Sequence, residues 1–320
     1  MTSERLPLVI DTDPGIDDAF AITLAAISPH VDLRAITTVF GNASVEQTTR
    51  NALKVLAMCG RDDVRVARGA ECPLVYPHPH RAEYAHGKDG LGGASDSLPA
   101  SQRTEQARPA VEVLAGVLKA AQTPVTIAVI GPMTNIALLL AVYPELRPRI
   151  GRLVVMGGAA AGGNVSATAE FNVWSDPEAA RRVLVESDVP TTLVPIDLTH
   201  RAWVDDQWLK TLASSGPTGA SLVSVSTPYR THYQRELGVD GLVLHDAVAV
   251  AEAIWPGTLK CRRLTVDVVC DSAAARGATV IDTRSGSEDA RAGREIDVAL
   301  DADIDALRDL LLNKLSSGLS

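Results

Sequence analysis

Val9-Ile10-Asp11-Thr12-Asp13-Pro14-Gly15-Ile16-Asp17-Asp18 is the stretch on which the reading of the whole chain turns. The run entering it, from Leu8, is apolar without alternation, as expected of a strand whose two faces are both covered by helices. Two aspartates end that strand, Pro14-Gly15 turns the chain, and two more aspartates open a helical pattern over 17–27. Four carboxylates within eight residues repel strongly unless a cation or protons neutralise them. Asp17 and Asp18 have a local use, since carboxylates interact well with the free N–H groups of a helix N-terminus. Capping and a solvated turn therefore account for one or two of the four, but not for all of them at a strand terminus. In open α/β sheets ligands sit beyond the carboxyl ends of strands, which is where this cluster lies.

Outward from that stretch, β-branched runs alternate with helical patterns, the signature of βαβ units. Strands are expected at 8–11, 33–39, 64–67, 125–130, 153–156 and 192–196, and helices at 17–27, 45–59, 110–121, 135–142 and 177–187. Helical patterns recur at 205–214, 221–237 and 245–254. Further strands are expected at 264–269, 279–282 and 296–299, and a closing helix at 304–315. The fold class is α/β, with a mostly parallel central sheet flanked by helices. No repeat and no Ser/Gly/Pro-rich linker divides the chain, so residues 1–320 are expected to form a single domain. The one long irregular stretch, 71–108, carries four prolines and four glycines. A loop of that length in a compact domain is usually functional, and a lid is one expectation.

Composition narrows the function classes. The chain has 320 residues, 30 Lys+Arg against 39 Asp+Glu, a net charge of −9, and 46% hydrophobic residues. That is an ordinary globular composition, and its acidic balance argues against binding a nucleic-acid polymer or an anionic membrane surface. Cys59, Cys72, Cys261 and Cys270 show no zinc spacing; Cys59 and Cys270 sit in apolar segments and are expected as buried thiols. With a polar N-terminus lacking an apolar signal stretch, a cytoplasmic location is expected. The uncharged segment 120–144 is broken by Pro124, Gly131-Pro132 and Asn135, and reads as strand, turn and helix rather than a bilayer span.

All-oxygen donors at 11–18 suit a hard cation, Ca²⁺ or Mg²⁺, rather than zinc. The spacing is not that of an EF-hand, and no phosphate-binding P-loop occurs. His245-Asp246 opens another helical pattern; Asp246 reads either as a first-turn acid or as a further oxygen donor, since calcium prefers six or more. His245, with an ordinary pKa near neutrality, suits protonation of a leaving group, or only stacks. Asp176-Pro177 reads as N-cap and first-turn proline. Glu170 and Asn172 have no such local use. Tyr229 and Tyr233 share one helix face, for which core packing is the commoner explanation. His78 and His80 fit no metal template and read as solvent-exposed.

The run Asp11–Asp18 resembles the N-terminal signature of the inosine-uridine nucleoside N-ribohydrolase family. Further matches follow in the family's order: Thr37-Thr38-Val39-Phe40-Gly41-Asn42, Ile130-Gly131-Pro132-Met133-Thr134-Asn135-Ile136-Ala137, Val155-Met156-Gly157-Gly158, Glu170-Phe171-Asn172, Asp176-Pro177-Glu178-Ala179-Ala180 and His245-Asp246. The resemblance spans about residues 7–255. It implies a nucleoside hydrolase fold, calcium-dependent hydrolysis of the N-glycosidic bond of ribonucleosides, and homodimers or homotetramers. Residue by residue, it implies Asp13, Asp18, Asp246 and the carbonyl of Ile130 as Ca²⁺ ligands, with Asp13 also taking a proton from the calcium-bound water. Asp17, Asn42, Met156, Asn164, Glu170 and Asn172 match positions lining the ribose. His86, Phe171, Tyr229, Tyr233 and His245 match positions around the base and leaving group.

Two other readings compete. Asp11-x-Asp13 after an apolar strand also opens the site of haloacid-dehalogenase-type phosphatases, with Asp11 as nucleophile and Mg²⁺ as metal. That family's later Gly-Asp is missing here, and Asp17-Asp18 would have no role. The other is a non-catalytic nucleoside- or calcium-binding protein on the same fold.

Overall fold

Strand β1 (Leu6–Thr12) runs through the middle of the protein, with Leu8 and Ile10 in one apolar cluster and Val9 in the other. Alternate side chains of a strand point to opposite faces, so a continuous apolar run has a core on each side. The computed structural model describes residues 5–271, 273–284 and 292–317. The strands that follow are β2 (Val31–Thr38), β3 (Arg65–Arg68), β4 (Val125–Val129), β5 (Ile150–Met156), β6 (Thr191–Val194), β7 (Trp203–Asp205), β8 (Gly241–Val243), β9 (Lys260–Val268), β10 (Thr279–Asp282) and β11 (Arg294–Asp301).

Among the described residues nine strands form one sheet, ordered β10-β9-β11-β6-β5-β4-β1-β2-β3. From β3 to β11 every pairing is parallel; β9 is antiparallel to both β11 and β10. The expected mostly parallel α/β sheet flanked by helices is what the chain forms. The chain leaves β1 toward β2 and β3, then returns to the other side of β1 with β4. Strand order therefore reverses between β1 and β4, the switch point where crevices open in such sheets. Asp11–Asp13 and Ile130 lie at the carboxyl ends of these two strands.

Two helices, Ile16–Ile27 and His245–Ile254, pack against each other on one face of the sheet, and all ten residues of the second are buried. Because each is apolar nearly all round, each can be enclosed. Their first turns carry Asp17, Asp18 and Asp246, so enclosing the helices also encloses the acids. The other face is covered by helices Ala110–Ala120, Thr134–Val142 and Pro177–Leu184.

Several expectations need correction. The single helix expected at 221–237 is two, Pro217–Val225 and Thr227–Glu236, meeting at Ser226. Ser226 bonds the carbonyl of Val223 through its hydroxyl, and Pro228 lacks the N–H needed to continue the ladder. The two-stranded β7–β8 sheet was not anticipated, because each strand is only three residues long. Cys59 and Cys270, expected buried, are partly exposed, and all four thiols are free. His78 is exposed as expected, but His80 is half-buried, its ring 3.6 Å from that of Trp174. The segment 71–108 contains a helix, Glu83–His86, and a 3-10 turn, Ser95–Ser97. Among the described residues no helix is long and apolar enough to cross a membrane.

Candidate active site

The carboxylates at the end of β1 are held largely by backbone and neighbouring polar groups. Asp18 accepts from Gly15 N–H at 2.8 Å and from the Asn42 amide at 3.1 Å, and Thr12 donates to its other oxygen. Asp13 accepts from Asn42 N–H at 2.7 Å through Oδ2, while its Oδ1 is buried with no hydrogen-bond partner. A Cβ placed on Gly131 would come within 2.6 Å of that Oδ1, so the glycine after Ile130 is what lets β4 close against Asp13. Asp11 accepts from Thr37 and, at 2.8 Å, from Asn135; it is fully buried.

Burial, then the neighbouring acids, pushes these groups up. Asp11 rises to about 7 through burial, against the pull of Thr37 and Asn135. Asp17 rises to about 8 through burial and Asp18. Asp13 stands well above the usual carboxylate range through burial and then Asp18. Asp246 does so through burial and then Asp17, Asp18 and Asp13. Such a cluster either keeps protons or takes a cation.

One oxygen from each of Asp17, Asp18 and Asp246 lies within 4.8 Å of the others. With the orphaned Asp13 Oδ1 beside them, these all-oxygen donors fit a hard divalent cation. Asp17, matched by resemblance to the ribose, thus belongs to an acidic trio close enough to share an ion, and Asp13 is not one of its members.

Above the acids opens a cleft. Its polar side carries Asp17, Asn42, Asn164, Glu170 and Asn172, with Met156 and Ile130 between them. Asn172 donates to the carbonyls of Ile130 (3.3 Å) and Met156 (3.2 Å), which ties the ends of β4 and β5 together. Glu170 caps the short helix Phe171–Ser175, accepting from Asn172 and Val173, and burial raises it to about 7. Asn164 is exposed at the rim, where its Oδ1 accepts from Phe171 N–H at 3.0 Å.

Aromatic and imidazole rings supply the rest of the lining, from His86, Tyr229, Tyr233, His245 and Phe171, and they meet the acids directly, His86 Nδ1 lying 4.0 Å from Asp17 Oδ1. His245 is bracketed, Nδ1 2.6 Å from Thr199 Oγ1 and Nε2 2.5 Å from Tyr233 OH, and burial, then His200, holds its pKa well below the ordinary value. His86 accepts from Ile16 N–H at 3.1 Å, keying the long segment onto the first turn of the acidic helix; burial pushes it down to about 3.

The structure thus brings the sequence-chosen residues to one place, with Asp13 and Asp18 fully buried rather than facing the cleft. Asp176 is the N-cap expected, accepting from Ala179 N–H at 3.1 Å. Sequence reading missed Tyr84 and His232, which stand in ring contact at the mouth, and Thr199 beneath His245. His232 lay between Tyr229 and Tyr233 on one helix, a signal that was available; Tyr84 and Thr199 had none.

Carboxylates lining a cleft, here Asp17, Glu170 and Asp246, favour the positive charge that develops when a glycosidic bond breaks. Fold and site together define an enzyme of the N-glycosidase class. The chain belongs to the inosine-uridine preferring nucleoside hydrolase family, whose sequence profile matches residues 8–309. It is 40% identical over 306 residues to the non-specific ribonucleoside hydrolase RihC of Klebsiella pneumoniae, covering 95% of this chain and 96% of that one. Its structure matches a plant nucleoside hydrolase, PpNRh1, with a TM-score of 0.90 at 30% identity, covering 98% of this chain and 100% of the other. A purine-preferring ribonucleoside hydrolase from Gardnerella vaginalis matches with a TM-score of 0.89 at 28% identity, over 98% of both chains. The phosphatase reading falls with this membership.

Proposed function

We propose that this chain hydrolyses the N-glycosidic bond of ribonucleosides, releasing free base and ribose, with Ca²⁺ as its metal. The observation that carries this reading is a single cleft lined both by oxygen-bearing groups, Asp17, Asp246, Glu170 and Asn172, and by the rings of His86, Tyr229, Tyr233 and His245, chemistry suited to a sugar and to a base. The donors for the ion are Asp13, Asp18, Asp246 and the Ile130 carbonyl, with Asp17 close by. A bound divalent cation lowers the pKa of water and grips vicinal hydroxyls.

The chain's own groups do the rest. Asp13, whose Oδ1 has no hydrogen-bond partner within the protein, would take the proton from the attacking water. Asp17, Asn42, Glu170 and Asn172 orient the ribose and favour its oxocarbenium charge, Asn164 closes the rim, and Met156 packs against the sugar. Tyr229, Phe171 and His86 hold the base. His245 and Tyr233 form a hydrogen-bonded line along which a proton reaches the leaving base. The segment 71–108 acts as the lid, with His86 as its latch, over a single domain spanning 1–320. The four free thiols support a cytoplasmic location, and we extend the proposal to a homodimer or homotetramer, read by light scattering.

Reducing-sugar release from inosine, adenosine, guanosine, uridine and cytidine tests the activity. Ribose release that chelation abolishes and Ca²⁺ restores is the expected result. Undiminished release after chelation would refute the metal assignment; no release from any nucleoside would refute the function.

A further inference from the structure

Four consecutive amides, from Gly158 to Ala161, each donate to a side-chain oxygen. Gly158 N–H reaches Glu170 Oε2 at 2.8 Å, Ala159 N–H reaches Thr279 Oγ1 at 2.8 Å, and Ala160 and Ala161 N–H reach the two oxygens of Asp197 at 2.7 and 2.9 Å. Thr279 Oγ1 also donates to the Ala159 carbonyl at 2.7 Å, so one hydroxyl serves both sides of that residue. Its neighbour Ala278 forms an antiparallel bridge with Ala169. Two adjacent residues at the start of β10 therefore hold both ends of the loop that carries Asn164 and leads into Glu170. Gly158 has φ +72°, and a Cβ there would come within 2.8 Å of Thr279 Cγ2, so the loop is pressed against this threonine.

Beyond the buried Ala159 the loop has little apolar anchorage, and Asn164 at its far end is held locally, its N–H on the Ala169 carbonyl at 3.2 Å and its Oδ1 on Phe171 N–H. Residues 160–162 and Asn164 are exposed, and a Gly/Ala-rich segment without side-chain packing samples many conformations unless it is tied. We propose that Thr279 and Asp197 are positioning residues for substrate binding: they fix the 158–164 loop so that Asn164 and Glu170 meet the ribose already in place. Sugar-binding groups need placement to about half an ångström, and ordering them beforehand removes a cost that substrate would otherwise meet. The antiparallel edge of the sheet thereby acquires a role in the site, although neither β9 nor β10 fronts the cleft.

The inference rests on the ribonucleoside reading, and the two fail differently: that reading fails if the unsubstituted chain releases no ribose. The test is steady-state kinetics on inosine and uridine for Thr279→Val, Thr279→Ser and Asp197→Asn, with melting curves alongside. Thr279→Val removes both hydrogen bonds at nearly constant shape, and KM is expected to rise about tenfold while kcat falls no more than about threefold. Thr279→Ser restores KM. Asp197→Asn, which keeps one acceptor, raises KM by about threefold. If Thr279→Val does not fold, Asp197→Asn on the exposed side of the loop decides. An unchanged KM in the folded variants, whatever their melting temperatures, overturns the proposal, as does an equal fall in kcat and kcat/KM.

Discussion

The floor and the wall of the cleft are built on different principles. The floor is one short stretch of chain, 11–18, held by the N–H groups of Gly15 and Asn42 and by the side chains of Thr12, Asn42, Thr37 and Asn135, and closed by Asp246 from a buried helix. The wall is assembled from segments far apart in sequence, His86 from the long loop, Tyr229 and Tyr233 from one helix and His245 from another, and its members touch through their own side chains. A floor drawn from one contiguous stretch of chain suits chemistry common to every ribonucleoside. A wall fixed by side chains can change with the base while the floor stays as it is.

The strongest blow to this comparison is at the floor. Asp13→Ala is expected to cut turnover by about 10³-fold on all nucleosides alike, with an unchanged far-ultraviolet spectrum. Wild-type turnover in that variant would end the assignment of Asp13 as base.

At the wall, His245→Ala is expected to cost about 10²-fold on inosine and uridine, yet little on p-nitrophenyl ribofuranoside, whose leaving group needs no proton. An equal loss on both would move His245 from proton delivery to a structural part.

Metal removal separates the two regions by stability. In the chelated protein Asp11, Asp17 and Glu170 have folded pKa values raised above their unfolded ones, to about 7, 8 and 7. The folded state then binds more protons than the unfolded chain, so stability is present at low pH and is lost as pH rises through that window. The free energy of unfolding, from denaturant titration, is expected to fall between about pH 5 and about pH 8, and to fall less with Ca²⁺. A flat or rising profile without metal would show that the acids are not held as described.

The smallest effect belongs to the mouth. Tyr84→Ala removes the ring facing His232, and KM is expected to rise about threefold, unequally between purine and pyrimidine nucleosides, with kcat nearly constant. A uniform change across all bases would place Tyr84 outside base recognition.

The sequence was most readable where function and backbone coincide. The acidic motif, the strand before it and the Ile130-Gly131-Pro132 turn were visible because strand, turn and helix start follow one another within a few residues. The split at Ser226 was not read, although Pro228 marked it, because the apolar pattern continues across the break. Thr199 and Thr279 were invisible: a threonine's partner lies across the fold, and neither spacing nor polarity names it. Tyr84 was hidden for the same reason, inside a loop with no periodicity.

By itself the sequence determined the class of fold, the oxygen-rich character of the site and the family resemblance, because alternating apolar periods and contiguous carboxylates are local properties of a chain. Only the tertiary structure decided which carboxylates stand together. It set Asp17 beside Asp18 and Asp246 while leaving Asp13 Oδ1 without a partner. The physical reason is that burial and charge proximity, which raise these acids and make room for a cation, depend on the packing of two helices more than two hundred residues apart.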